Sequence, residues 1–138
     1  IAGSGYMGRT YAECLTKYNK GARLVAVALG SRAPKLAQDY GAELEADMTA
    51  LVRRNDIDAV LVATPHQTHA EQVIEVAESG KHVLVEKPMA LTAREARRLK
   101  PAALTETTIE RQHERGAWAQ VAPTFLSRRS IVDLMPFN

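Results

Sequence analysis

The sequence predicts an α/β domain built on a doubly wound, mostly parallel sheet. Three observations carry that prediction. Short valine-rich runs alternate with amphipathic stretches over residues 1–100, glycines and prolines fall at the junctions, and a glycine-rich hexapeptide opens the chain. Strand and helix alternating through short loops demand right-handed crossovers, and therefore parallel strands covered by helices.

The elements follow in order. Ile1 and Ala2 are the remnant of a first strand that is expected to be truncated, because the chain opens at Ile1 directly into Gly3-Ser4-Gly5-Tyr6-Met7-Gly8. The chain is thus expected to be a fragment. An amphipathic helix is predicted from Met7 to about Lys20, with Tyr11, Cys14, Leu15 and Tyr18 as its apolar stripe. Cys14 on that stripe points to core packing rather than reactivity. Ala22–Leu29 (ARLVAVAL) reads as a strand buried on both faces, as do Ala59–Ala63 (AVLVA) and His82–Val85 (HVLV). Pro34 suits the first turn of a helix ending near Tyr40, and Gly41 its C-terminal cap. Asp47 is placed to cap a short helix containing Leu51 and Val52. Ala70, Val73, Ile74 and Ala77 form one helical face, closed by Gly80. Thr92-Ala93-Arg94-Glu95 has the spacing of a capping box, and Pro101 is expected to stop that helix after two turns.

From Pro101 to Asn138 lie three of the six prolines, the only Trp and both Phe, and the strand–helix rhythm ends. A short helix over Thr108–Arg115 and a weak strand at Thr124–Leu126 or Ser130–Leu134 are the available elements. The division is an α/β domain over 1–100 and an irregular, poorly ordered tail over 101–138. So abrupt a loss of pattern is what a shifted reading frame or a misassembled gene fragment produces.

Composition narrows the functional classes. A chain of 138 residues is about one domain. Its 18 Lys and Arg against 16 Asp and Glu give +2, without the dense basic face of a nucleic-acid binder. Hydrophobic residues make up 46%, enough for one core. A lone cysteine makes neither a disulfide nor a cysteine-based zinc site, and four scattered histidines lack metal-ligand spacing, so no metal is expected. No apolar run approaches the ~20 residues of a membrane helix, and no secretion signal is evident. A cytoplasmic protein without membrane or nucleic-acid partners is expected.

The hexapeptide is G-x-G-x-x-G, a weak string that its setting before a helix and a valine-rich strand strengthens. Gly3 would permit the tight turn, Gly5 the approach of a diphosphate, and Gly8 close packing of the helix. The helix N-terminus, including Tyr6 and Met7, would face the diphosphate with unpaired amides. The alternative is a plain glycine turn. At the end of the next strand, Leu29-Gly30-Ser31-Arg32 carries no carboxylate for ribose hydroxyls. Ser31 and Arg32 suit a 2′-phosphate, which favours NADP over NAD as the cofactor. Otherwise Arg32 is a solvated surface residue.

Ala63-Thr64-Pro65-His66-Gln67-Thr68-His69, followed by Gly80-Lys81-His82-Val83-Leu84-Val85-Glu86-Lys87-Pro88, resembles the N-terminal Rossmann domain of the Gfo/Idh/MocA oxidoreductases, over about residues 1–99. The resemblance implies that Thr64 and Pro65 lie along the cofactor and that Lys87 stands at the nicotinamide and substrate as the catalytic residue. It also implies reversible hydride transfer to or from a sugar or polyol. An ammonium there would hydrogen-bond the substrate oxygen and organise proton transfer; the alternative is a surface lysine paired with Glu86. Glu86 is expected to orient Lys87, touch the cofactor, or serve structure alone. His69 matches a recurrent family histidine that helps hold this edge or is structural, the role of His66 stays open, and His82 reads as structural. Members of the family carry a second α+β domain with substrate contacts and subunit contacts, so the full-length form is expected to be a homo-oligomer. Nothing after Lys100 resembles that domain, and it is expected to be missing. A non-catalytic dinucleotide-binding module, or an inactive fragment, is therefore the alternative reading. A methyltransferase on the same fold is disfavoured by Glu86-Lys87-Pro88.

Overall fold

The computed structural model describes residues 1–103 and 124–126. In chain order these form α1 (Tyr6–Lys17), β1 (Ala26–Ala28), α2 (Ala33–Tyr40), β2 (Glu43–Glu45), α3 (Met48–Arg53), β3 (Ala59–Val62), α4 (His69–Glu78), β4 (His82–Val85), α5 (Ala93–Ala103) and β5 (Thr124–Leu126), with a 3-10 turn at His66–Thr68. Strand β1 pairs in parallel with β2, β3 in parallel with β4, and β5 closes the far side antiparallel to β4.

Ile1 and Ala2 join the two halves. Ala2 bridges in parallel to both Ala28 and Val62. Its amide donates to the Leu61 carbonyl at 2.8 Å, and its own carbonyl accepts from Ala63 at 2.8 Å. The spatial order is therefore β2, β1, Ile1–Ala2, β3, β4, β5. The chain leaves the middle to one side through β1 and β2, then crosses to the other through β3. That crossing is the topological switch point of a doubly wound sheet, and it lies at the carboxyl end of Ile1–Ala2.

Side-chain alternation builds a core on each face. Ile1 and Val27 turn toward α1 and α2, where they bury Ala12, Ala33, Leu36 and Ala37. Ala2, Ala28, Val60, Val62, Val83 and Val85 turn the other way, against Leu51 of α3, Val73 and Val76 of α4, and Leu99 of α5. The predicted punctuation is realised. Pro34 sits in the first turn of α2, and Gly41 caps it in the left-handed region at φ 65°. The Asp47 carboxylate accepts from the Ala50 amide at 2.7 Å, and Thr92 Oγ1 accepts from the Glu95 amide at 3.2 Å. Gly80, at φ 80°, follows α4 and donates its amide to the Ala77 carbonyl at 3.0 Å.

Four expectations are corrected. The strand predicted over Ala22–Leu29 is confined to Ala26–Ala28. On its inner side the ladder begins at Ala26, whose carbonyl accepts from the Ile1 ammonium at 2.8 Å, and Ala22 and Arg23 are exposed. The first helix ends at Lys17 rather than near Lys20, and its inward face differs from the predicted stripe. Gly8 and Ala12 are buried, Tyr11 and Leu15 pack beside them, and Cys14 and Tyr18 are exposed. The cause is the close approach of Gly8 to the glycine turn, which brings the small residues inward; Cys14 lies about 200° around the helix from Ala12. Strand β2 was not anticipated: Glu43-Leu44-Glu45 sets a single large apolar residue between two carboxylates, too short a run to mark a strand. It is a solvated edge, tied down by Arg54, which contacts Glu43, Glu45 and Asp56. Finally, α5 passes through Pro101 to Ala103. Proline's fixed φ is itself helical, so close to a helix end the ring costs one hydrogen bond without ending the helix there. Of the elements considered beyond Pro101, Thr124–Leu126 is a strand, while Thr108–Arg115 and Ser130–Leu134 lie outside the described residues.

Candidate dinucleotide site

Every candidate residue named from the sequence falls at the carboxyl edge of the parallel strands. Gly3 to Gly8 follow the central Ile1–Ala2, Ser31 and Arg32 follow β1, Thr64 and Pro65 follow β3, and Glu86 and Lys87 follow β4.

The three glycines have different causes. Gly3 has φ 108°, and a Cβ on it would stand 2.4 Å from the Ala63 carbonyl oxygen. A Cβ on Gly8 would stand 2.1 Å from the Gly3 carbonyl oxygen. Both are thus dictated by the protein's own packing. Gly5 is not: its φ is −75°, open to any residue, and a Cβ there would meet nothing within 4 Å. Gly5 is also the N-cap of α1, with no side chain bonded to the end of the helix and no acidic residue in the first turn. The unpaired amides of that turn and the positive end of the helix dipole face this open space, and an anionic diphosphate suits them. Tyr6 is exposed and Met7 half-buried beside it. Ser4 is buried below, where a Cβ on Gly30 would come within 2.3 Å of its hydroxyl oxygen.

The end of β1 carries a feature absent from the sequence reading. Leu29 has φ 67° and Gly30 φ 90°. For a leucine the left-handed region costs on the order of 1 kcal/mol. The turn is held by Leu29 packing against the core and by the Ala33 amide donating to the Gly30 carbonyl at 3.0 Å. It delivers Ser31 and Arg32, both exposed, at the start of α2.

Across the switch point, His69 opens α4 and is fully buried. Its Nδ1 lies 2.8 Å from the Pro88 carbonyl oxygen and its Nε2 2.8 Å from that of Thr64. One ring thus ties the loop after β3 to the loop after β4. Thr64 is fixed further by Gln72 and Thr68. The exposed His66 ring meets His69 edge-on, centroids 5.5 Å apart.

Glu86 is buried, and its amide completes the ladder to the Val62 carbonyl at 2.9 Å. Its carboxylate neither touches solvent freely nor pairs with the Lys87 ammonium. One oxygen accepts from the Tyr11 hydroxyl and the other from the Lys87 amide at 3.3 Å. Burial first, and then the hydrogen bond and charge of Glu86, hold the Tyr11 phenol well above its ordinary pKa. Lys87 is exposed, joined to Pro88 by a cis peptide bond, and among the described residues makes no ion pair. Tyr11 is the residue that sequence reasoning missed, having been counted as part of an apolar stripe. The available signal was its hydroxyl, which needs a partner once buried.

Comparisons with known proteins agree with this architecture. Residues 1–109 match the family model described as an oxidoreductase family with an NAD-binding Rossmann fold. Inositol 2-dehydrogenase of Rubrobacter xylanophilus is 44% identical over 101 residues, 72% of this chain and 29% of that protein. 2,7-Anhydro-N-acetylneuraminate hydratase of Mediterraneibacter gnavus is 40% identical over 92 residues, 67% of this chain and 24% of that protein. Among solved structures, myo-inositol dehydrogenase of Lactobacillus casei, in complex with NAD(H) and myo-inositol, superposes with a TM-score of 0.71 at 32% identity, over 78% of this chain and 33% of that one. Biliverdin reductase of Synechocystis, bound to biliverdin and NADP+, superposes with a TM-score of 0.68 at 30% identity, over 74% of this chain and 33% of that one. The chain thus spans between a quarter and a third of the length of these relatives. With the switch-point glycine turn, the TP turn and the EKP strand end at one sheet edge, the chain belongs to the Gfo/Idh/MocA oxidoreductase family, as its NAD(P)-binding Rossmann domain.

Proposed function

We propose that this edge holds NADP in preference to NAD, and that the domain serves hydride transfer between the nicotinamide and a sugar- or polyol-like substrate. The observation that carries the reading is Gly5, a glycine that neither backbone conformation nor internal packing requires. Gly3, Gly5, Tyr6, Met7 and Gly8 bind the diphosphate through the amides of the helix start. Ser31 and Arg32 take the adenosine ribose and its 2′-phosphate, with the guanidinium as a bidentate donor. Thr64 and Pro65 line the cofactor, and His69 holds their loop. Bound nicotinamide supplies the hydride acceptor or donor. Lys87, at the strand end with no internal counter-ion among the described residues, hydrogen-bonds the substrate oxygen and handles its proton. The inositol dehydrogenases among the relatives support the polyol class.

Calorimetric titration of the chain with NADP+ and NAD+ tests the reading. Tighter binding of NADP+ is expected; equal or reversed affinities overturn the preference, and no binding of either by the folded chain overturns the site. Binding without polyol oxidation in a protein that also carries a substrate domain would assign a non-catalytic module instead.

A further inference from the structure

The backbone on both sides of Lys87 is anchored to different helices. On one side the buried Glu86 carboxylate accepts from Tyr11 of α1, while the Glu86 amide is bonded to Val62 of β3. On the other side the Pro88 carbonyl is bonded to the His69 ring of α4. The exposed Lys87 therefore stands on a short stretch of chain pinned from three elements. The Tyr11 anchor differs in kind from the others, since it reaches Glu86 across 75 positions of sequence from the helix that Gly5 caps.

We propose that Tyr11 is a positioning residue: by holding the Glu86 carboxylate against α1, it fixes Lys87 relative to the anion-binding start of that helix. Two physical points support the assignment. A buried carboxylate requires donors for both oxygens, and Tyr11 supplies the one that comes from outside the local loop. With both oxygens engaged by Tyr11 and the Lys87 amide, the Lys87 ammonium is left for an incoming oxygen. The Tyr11 hydroxyl acts through Glu86. The role rests on the reading of Lys87 as the group beside the nicotinamide, and the test separates the two ideas.

The test compares the chain with its Tyr11→Phe variant, which keeps the ring and removes only the donor. Amide hydrogen exchange is read first, without dinucleotide. Exchange at Glu86 and Lys87 is expected to quicken about tenfold, roughly what loss of one hydrogen bond to a charged group allows, while Val27 and Val60 keep their protection. No change at Glu86 and Lys87, or equal acceleration at all four amides, overturns the proposal. Should Tyr11→Phe fail to fold, Glu86→Gln reads the same contact, with smaller acceleration expected at the same two amides and none elsewhere. The second measurement uses NADP+ and chain carrying dimethylated lysines. In the unsubstituted chain the diphosphate 31P signals and the Lys87 methyl carbon signal both move on binding. In Tyr11→Phe the 31P response is expected to persist while the Lys87 response falls at least threefold. A Lys87 response of full size in Tyr11→Phe overturns the proposal. Absence of any 31P response in the unsubstituted chain refutes the dinucleotide reading alone, and the exchange experiment then still decides the fate of the Tyr11 contact.

Discussion

Replacing Gly5 and Gly8 separately by alanine divides what the glycine turn does for the fold from what it does for a ligand. A methyl at Gly8 would stand 2.1 Å from the Gly3 carbonyl oxygen, where ordinary contact begins near 3.4 Å, so α1 must retreat by about 1.3 Å. Overpacking of this kind costs about 1–3 kcal/mol, and a domain of this size loses about 4–8 °C of Tm per kcal/mol. Gly8→Ala should therefore melt clearly below the unsubstituted chain. At Gly5 the methyl enters open space on permitted backbone. There alanine is a poorer N-cap than glycine by roughly 0.5 kcal/mol, and restricting the unfolded chain returns about 0.4–1 kcal/mol. The two nearly cancel, and Tm should stay within a few degrees. Affinity should behave oppositely. With a diphosphate against Gly5 the methyl meets ligand, and the same 1–3 kcal/mol becomes about a 5- to 150-fold loss. Thermal melting followed by dinucleotide titration reads both. If Gly5→Ala binds within twofold of the original, the open space over Gly5 is not the phosphate cradle, and the reasoning fails.

Two further expectations follow from the same geometry. Arg32→Ala should weaken NADP+ by about tenfold or more, the worth of a charge-assisted phosphate contact, and leave NAD+ nearly unchanged; equal losses in titration refute the 2′-phosphate assignment. His69→Ala removes a fully buried ring and its contacts with the Pro88 and Thr64 carbonyls. A loss of about 2–4 kcal/mol is expected from the cavity and the unpaired carbonyls together, and a change under 1 kcal/mol in denaturant titration would show that the two loops do not depend on the ring.

The parts legible in the sequence were those whose local chemistry agrees with their place in the fold. Val60, Val62, Val83 and Val85 are valines in strands buried on both faces, and Pro34 with Gly41, Asp47, and Thr92 with Glu95 mark helix ends through backbone chemistry that acts over a few residues. The Thr64-Pro65 and Glu86-Lys87 turns were legible as strand ends for the same reason. What stayed hidden depended on distant partners. Glu43-Leu44-Glu45 is a strand only because Ala26–Ala28 offers it a free edge. The inward face of α1 is set by Gly8 meeting Gly3 rather than by its largest apolar residues. The Tyr11–Glu86 contact has no local signature beyond the hydroxyl itself, and the left-handed Leu29, which tertiary packing holds in place, has none.

The narrow centre of the sheet makes a two-residue stretch the seam of the domain. Among the described residues, everything joining β1 to β3 through backbone pairing runs across Ile1 and Ala2. A distortion of that stretch is therefore felt at once by the β2–β1 half, by the β3–β4–β5 half and by the loop that Gly3 begins.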